Sequence, residues 1–104
     1  MKHLDLIMSD FLEMLFSQIN DNLFTQGADC DYSDGVFEIN FKGKIFVINK
    51  NSSSGRIWYS SPVSKPKYYN YHESSNCFIE NTLQTNILDD LRHDLAKIGL
   101  NVKI

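Results

Sequence analysis

The first quarter of the chain carries an apolar stripe with helical spacing. Its members recur every three or four residues: Leu4, Met8, Phe11, Leu15, Ile19 and Leu23, with Leu12 and Phe16 widening the stripe. This period places them on one side of an α-helix. The pattern predicts a helix over residues 4–24, and Gly27 just beyond it suits a left-handed helix cap.

From Ala28 to Glu80 the period of the apolar positions shortens to two, which is the spacing of β-strands. The pattern predicts a short strand around Cys30 and further strands near residues 36–41, 45–48, 57–60, 68–72 and 77–80. Tight turns separate them, with Asp34-Gly35 the strongest signal. Because parallel strands need long crossovers, turns this short predict antiparallel pairing.

A second apolar stripe follows the last strand and predicts a second helix. Thr82 is the expected N-cap, Gly99 closes the helix, and residues 100–104 form a tail that could lie over the helix pair. The stripe consists of Leu83, Ile87, Leu91, Leu95 and Ile98. The order helix, five or six strands, helix predicts an α+β two-layer sandwich, with both helices on one face of an antiparallel sheet. Residues 1–104 form a single domain, and the other sheet face is left open.

Trp58 breaks the usual burial rule. In Arg56–Ser60, alternation puts Ile57 and Tyr59 on one face and Arg56, Trp58 and Ser60 on the other. If the first pair faces the core, the only tryptophan of the chain points outward. An exposed tryptophan on a rigid strand suits binding. The alternative is a tryptophan covered by the lysines or the loop of residues 62–67, and alternation leaves both open.

Composition narrows the function classes. The chain has 104 residues and a formal net charge of −3, and no apolar run approaches the ~20 residues of a membrane span. An acidic domain argues against nucleic acid as a partner, because phosphates require a basic field, and permits a cationic partner. Lys65–Tyr69 could stack single-stranded nucleic acid, which is a minor alternative. The N-terminus lacks the features of a signal or transit peptide.

The sequence contains no familiar catalytic template. It has no glycine-rich phosphate loop, nucleophile elbow or zinc-protease motif, and no histidine–cysteine spacing typical of zinc. Cys30 and Cys77 lie far apart in the sequence and form no C-x-x-C motif. In a chain with an adequate core they are expected to be reduced and structural, and a disulfide is the alternative. The remaining chemistry is acidic: Asp10, Glu13 and Asp21 on the first helix, and Asp29, Asp31 and Asp34 on the first strand and turn. Such carboxylates could bind iron weakly or attract a basic partner, or they could be an ordinary solvated surface.

One long stretch resembles the frataxin family. The matching blocks are Val47-Ile48-Asn49-Lys50, Ile57-Trp58-Tyr59-Ser60-Ser61-Pro62, Ser64, Pro66-Lys67 and Tyr69, preceded by Asp31-Tyr32-Ser33 and Gly35-Val36. The resemblance covers nearly the whole chain and implies the same α+β sandwich. It also implies a role in iron–sulfur cluster biogenesis, with weak ferrous iron binding by surface carboxylates and no organic cofactor. Ferroxidase and iron-storage activities are further implications.

The resemblance also implies site residues. Iron would be bound by Glu13, Asp21, Asp29 and Asp31. A complex of cysteine desulfurase and iron–sulfur scaffold protein would be bound by Asn49, Lys50, Arg56, Trp58, Ser60, Ser61 and Pro62.

The chain departs from the family pattern at several positions. Ser17 and Asn20 stand where carboxylates are usual, Arg56 replaces a usual glutamine, and Tyr68 replaces an arginine of many eukaryotic members. Cys77 takes a place usually held by an aromatic residue. Ser17 and Asn20 reduce the number of carboxylates on the first helix, Arg56 and Tyr68 alter the surface beside the tryptophan, and Cys77 is expected to alter core packing near the second helix.

The expected function is therefore a non-catalytic accessory and regulatory factor of cluster assembly. One alternative is a ferroxidase or iron-storage protein that uses the carboxylates of the first helix and first strand. Another is a generic sheet-surface binding module. We expect a monomer when free, with no nucleic acid and no membrane as partner. The residues of the blocks Val47–Lys50 and Ser60–Pro62 resemble those of mitochondrial-type frataxins most. This resemblance suggests a mitochondrion or a reduced mitochondrion-like organelle, with bacterial cytoplasm as the alternative.

Overall fold

A computed structural model, which describes residues 2–104, contains two helices and six strands. In chain order they are α1 (Lys2–Thr25), β1 (Asp29–Ser33), β2 (Val36–Phe41), β3 (Lys44–Asn51), β4 (Arg56–Ser60), β5 (Lys67–His72), β6 (Cys77–Glu80) and α2 (Ile87–Lys97). No helix among these residues is both long enough and apolar enough to cross a membrane.

The six strands form one antiparallel meander in the order β1-β2-β3-β4-β5-β6. The hairpin turns explain the regular order. Asp34 and Gly35 have φ angles of 50° and 76°, and Lys42 and Gly43 have φ angles of 53° and 84°. Two successive residues with positive φ make the tight turn whose twist matches that of paired strands.

Both helices cover the same face of the sheet. The sheet contributes Phe37, Ile39, Phe46, Ile48, Ile57, Tyr59, Tyr69 and Phe78 to the core, while α1 contributes Met8, Leu12, Leu15, Ile19 and Leu23, and α2 contributes Ile87, Leu91 and Leu95. The C-terminal tail closes this layer with Leu100 and Val102. The predicted two-layer α+β sandwich is confirmed, and its sheet has six strands.

The start of the second helix was predicted wrongly. Thr82 lies in a turn, and the N-cap is Asn86, whose side-chain Oδ1 accepts a hydrogen bond from the Leu88 amide at 2.9 Å. The reason is that the chain first folds back on β6: the Glu80 amide donates to the Thr85 carbonyl, and Ile79 forms a bridge with Asn86. This turn leaves Leu83 outside the helix and 62% exposed.

Candidate functional site

The sheet face opposite the helices is the candidate site, and we call it the open face. Strand alternation and register define its residues. They are Asp29, Asp31 and Ser33 on β1, Val36, Glu38 and Asn40 on β2, Ile45, Val47, Asn49 and Asn51 on β3, Arg56, Trp58 and Ser60 on β4, Tyr68, Asn70 and His72 on β5, and Cys77 and Ile79 on β6.

Trp58 lies in the middle of this face. Its cross-strand neighbours are Asn49 on β3 and Tyr68 on β5, and Val36 follows Asn49 in the same row. The indole is half-buried by its surroundings, while Val36 and Tyr68 are each 40% exposed. The outward orientation predicted from alternation is confirmed. An apolar, aromatic row supported by a rigid sheet is a surface suited to binding a protein.

Two departures from the family pattern are in direct contact on this face. The Arg56 guanidinium lies over the Tyr68 ring, 4.4 Å from its centroid. Register explains the contact, because Arg56 is opposite Asn70 and Trp58 is opposite Tyr68, so that Arg56 and Tyr68 are diagonal neighbours. This cation–π contact holds the guanidinium on the same face as Trp58, two residues along β4.

The turn after β4 splits the predicted partner-binding residues. Ser60 belongs to the open face and Pro62 is exposed, but Ser61 points toward α2. The Ser61 hydroxyl donates to Asp94 Oδ2 at 3.0 Å and accepts the Val63 and Ser64 amides at 3.1 and 2.9 Å. Ser61 therefore shapes the turn from inside.

Asp94 is the centre of this inner network and was not singled out from the sequence. It is only 4% exposed, and its Oδ2 also accepts the Tyr59 hydroxyl at 2.6 Å and the Ser64 hydroxyl at 2.7 Å. One helical turn earlier, Asp90 Oδ2 accepts the Tyr69 hydroxyl at 2.6 Å. The signal in the sequence was an acid next to Leu95 on the apolar stripe of α2, where a charge requires partners.

The two tyrosines respond to this environment. Burial, reinforced by the hydrogen bond to Asp94, raises the pKa of Tyr59 far above its ordinary value. Burial and the hydrogen bond to Asp90 do the same to the pKa of Tyr69. Both phenols therefore stay protonated and act as fixed donors, which join β4 and β5 to α2.

Lys50 lies on the helix side of the sheet. Its Nζ is 2.9 Å from Asp5 Oδ2 and donates to Ser9 Oγ at 2.8 Å, so it ties β3 to α1. Its stem covers Gly35, where an added Cβ would lie 2.8 Å from the lysine side chain. The structure thus separates Lys50 from the Asn49 surface.

The predicted iron ligands lie in two places. Glu13 and Asp21 are on the exposed side of α1, and Asp29 and Asp31 are on the open face of the edge strand β1. Asp31 is directly opposite Glu38, which places two carboxylates side by side. Over residues 2–104 no three His, Cys, Asp or Glu side chains group closely enough to hold a metal ion. The residues fit diffuse cation binding and do not fit a metal cage.

Neither cysteine is arranged for nucleophilic chemistry. Cys30 and Cys77 are both free and half-buried. Burial, together with the charge of Asp29, raises the pKa of Cys30 to about 11, which suppresses its thiolate at neutral pH. The Cys77 thiol donates to the Ser75 carbonyl at 3.1 Å. These contacts agree with the predicted reduced, structural cysteines.

Comparison with known proteins places this geometry in context. The mitochondrial frataxin homolog of Drosophila melanogaster is 39% identical over 71 residues, covering 62% of this chain and 37% of that protein. The homolog of Schizosaccharomyces pombe is 30% identical over 89 residues, covering 85% of this chain and 56% of that protein. The chain therefore spans 37% and 56% of the length of these two relatives.

Structure comparison agrees on the fold. A solved frataxin from Psychromonas ingrahamii, described as a model of stability modulation within the CyaY protein family, has a TM-score of 0.74 with 92% of each chain covered. At 15% identity this likeness concerns the fold alone. The sequence model of the family described as the frataxin-like domain matches residues 3–100 of this chain. The chain therefore belongs to the frataxin family.

Proposed function

We propose that this chain is an accessory and regulatory factor of iron–sulfur cluster assembly. In this proposal its open face docks on a complex of cysteine desulfurase and scaffold protein. Membership of the frataxin family supports an iron-related function. The observation that carries the docking proposal is Trp58, which lies between Asn49 and Tyr68 on the uncovered face of a six-stranded sheet.

The open face has the composition of a protein-binding surface. Tyr68 and Val36, each 40% exposed, lie in the same cross-strand row as the half-buried Trp58, and Ile45, further along β3 on this face, is 43% exposed. Asn49 lies between Trp58 and Val36 in that row, and the rim of the face is polar, with Ser60 further along β4 and Asn40 on β2. Aromatic anchors within a polar rim are the arrangement that dominates affinity at protein interfaces.

The acidic edge supports a basic surface on the partner. Asp29, Asp31 and Glu38 project from β1 and β2 on the same face as Trp58. Opposite charge on the partner would speed the encounter and orient it, with an effect that weakens as salt increases. Ferrous iron would be bound weakly by these carboxylates and by Glu13 and Asp21 on α1.

The compartment is part of the proposal. The curated relatives are mitochondrial by name and the solved structural relative is bacterial, which is consistent with both a mitochondrion and bacterial cytoplasm. We place the chain in a mitochondrion or a reduced organelle derived from one, because the compared sequences that it matches are mitochondrial frataxins.

A single substitution tests the docking proposal. Trp58→Ala should weaken binding to a purified desulfurase–scaffold complex and reduce stimulation of cluster assembly, because it removes the central anchor. Phe24→Ala is the matched control, since this aromatic side chain is 69% exposed on α1 in the other layer. We expect it to behave as wild type. Equal binding and stimulation by wild type and folded Trp58→Ala protein would refute docking through the open face.

A further inference from the structure

Arg56 carries the positive charge of the open face. The other strand residues of this face are acidic, apolar or uncharged polar, apart from His72 at the end of β5. Lys50 and Lys67 lie on neighbouring strands but face the helix side, where Lys50 pairs with Asp5 and Lys67 donates to Ser64 Oγ at 3.1 Å. Arg56 therefore places a positive charge on the same face as Trp58, two residues away along β4.

This guanidinium has no carboxylate partner within residues 2–104. The ion pairs of this part of the chain are Lys50–Asp5 and Arg92–Asp89, and no side-chain hydrogen bond engages Arg56. The guanidinium lies over the Tyr68 ring, and none of its N–H groups donates to a side chain within residues 2–104. Five donors in a rigid fork are thus available for a planar anion such as a carboxylate.

The acids of the same face are too distant to neutralise Arg56. Glu38 is opposite Val47, which is opposite Ser60, and Ser60 is four residues from Arg56. Four residues along a strand and two strand spacings separate the backbones by about 17 Å. That distance exceeds the ~8 Å Debye length at physiological salt. The face therefore has an acidic edge and a separate cationic corner, with Trp58 between them.

We propose that Arg56 binds a carboxylate of the docking partner, next to the contact made by Trp58. This inference rests on the proposed docking function and adds the chemistry that the partner must offer: an aspartate or glutamate close to the apolar group that covers the indole. A polyanion does not suit the face, because Asp29, Asp31 and Glu38 would repel it. A single carboxylate meets the arginine without approaching that edge.

The contact between Arg56 and Tyr68 lowers the cost of binding. An arginine side chain that is free in solution loses rotamer freedom when it pairs, and that loss opposes binding. Tyr68 already restrains the guanidinium in the unbound protein. The proposal therefore assigns Tyr68 a positioning role and Arg56 the contact with the partner.

The experiment measures binding of the full chain to a purified desulfurase–scaffold complex. Arg56→Glu should weaken the affinity at least about tenfold, which is about 1.4 kcal/mol. Arg56→Lys should give an intermediate loss, because a lysine keeps the charge but not the planar fork. Lys65→Glu makes the same charge change at an exposed loop position outside the strands and should leave the affinity within about twofold. Far-UV dichroism and melting confirm that each variant is folded.

A charge-swap series identifies the carboxylate. Each exposed acid of the partner is changed to arginine, and one of these changes should restore binding of Arg56→Glu while weakening binding of the wild type. The outcomes separate the two proposals. If Trp58→Ala loses binding while Arg56→Glu and Lys65→Glu both bind as wild type, docking stands and the carboxylate contact is wrong. If wild type and Trp58→Ala bind equally, docking itself fails and the carboxylate contact fails with it.

Discussion

Asp94 shows how a single residue can connect the core to the proposed docking surface. A charge that is almost fully buried is stable only if it is well hydrogen-bonded, and three hydroxyls converge on one oxygen of this carboxylate. Two of the three belong to Ser61 and Ser64 in the turn after β4. The motif around Pro62 therefore includes serines that hold the turn from beneath, while Ser60 remains on the open face.

The buried tyrosines predict the alkaline limit of stability. The pKa of Tyr59 and of Tyr69 is raised in the folded protein, whereas an unfolded tyrosine titrates near 10. The folded state thus retains protons that the unfolded state releases. Their contribution is complete below about pH 10 and falls as the pH rises above it.

Urea unfolding between pH 7 and pH 11.5 measures this effect. Wild type should lose stability steeply above about pH 10, and Tyr59→Phe should be less stable at pH 7 but should show a shallower decline. Tyr68→Phe, on the exposed ring of the open face, should follow the wild-type curve. Parallel alkaline slopes for wild type and Tyr59→Phe would contradict the assignment.

At the scale of elements, the helices and strands differ in how clearly the sequence marks their ends. Hairpins at Asp34-Gly35 and Lys42-Gly43 were readable because tight turns require unusual backbone angles that few residues favour. The start of α2 was not, since Thr82 and Asn86 are both good caps and Leu83 continues the apolar period. Pairing of Ile79 with Asn86 decided between them.

Cap substitutions provide the test at this scale. Asn86→Ala should lower the free energy of unfolding by about 1 kcal/mol, because the Leu88 amide loses its acceptor. Thr82→Ala, at the cap expected from sequence, should change it by less than about 0.5 kcal/mol. Chemical denaturation of both variants checks this pair of values, and a larger loss for Thr82→Ala would reverse the assignment.

For the whole molecule, the two layers have separate tasks. The helix layer buries the apolar stripes and the hydroxyl–carboxylate network, and it leaves the opposite sheet face uncovered. The four predicted iron ligands are divided between the outer side of α1, with Glu13 and Asp21, and the β1 edge, with Asp29 and Asp31. Such a division favours electrostatic attraction over tight metal coordination.

Ferrous iron titration should therefore show weak and distributed binding. Under anaerobic conditions, backbone amide resonances near Asp29, Asp31 and Glu38 should shift gradually and without saturating at equimolar iron. Asp29→Asn together with Asp31→Asn should remove the shifts on β1 and leave those near Glu13 and Asp21 in place. Saturation at one equivalent would indicate a built site instead. Iron-dependent oxygen consumption lost in the same double variant would favour the ferroxidase alternative.

Local pattern alone determined the type and order of the elements, the sandwich and the outward direction of Trp58, because helical and strand periods are properties of consecutive residues. It left the number of strands at five or six, and the structure has six. The resemblance of the blocks between Asp31 and Tyr69 to the frataxin signature identified the family from the sequence. Only the tertiary structure placed Arg56 on Tyr68, turned Ser61 toward Asp94 and directed Lys50 to Asp5. Each of these contacts joins residues of different elements, and their partners depend on register and layer packing, which no local period specifies.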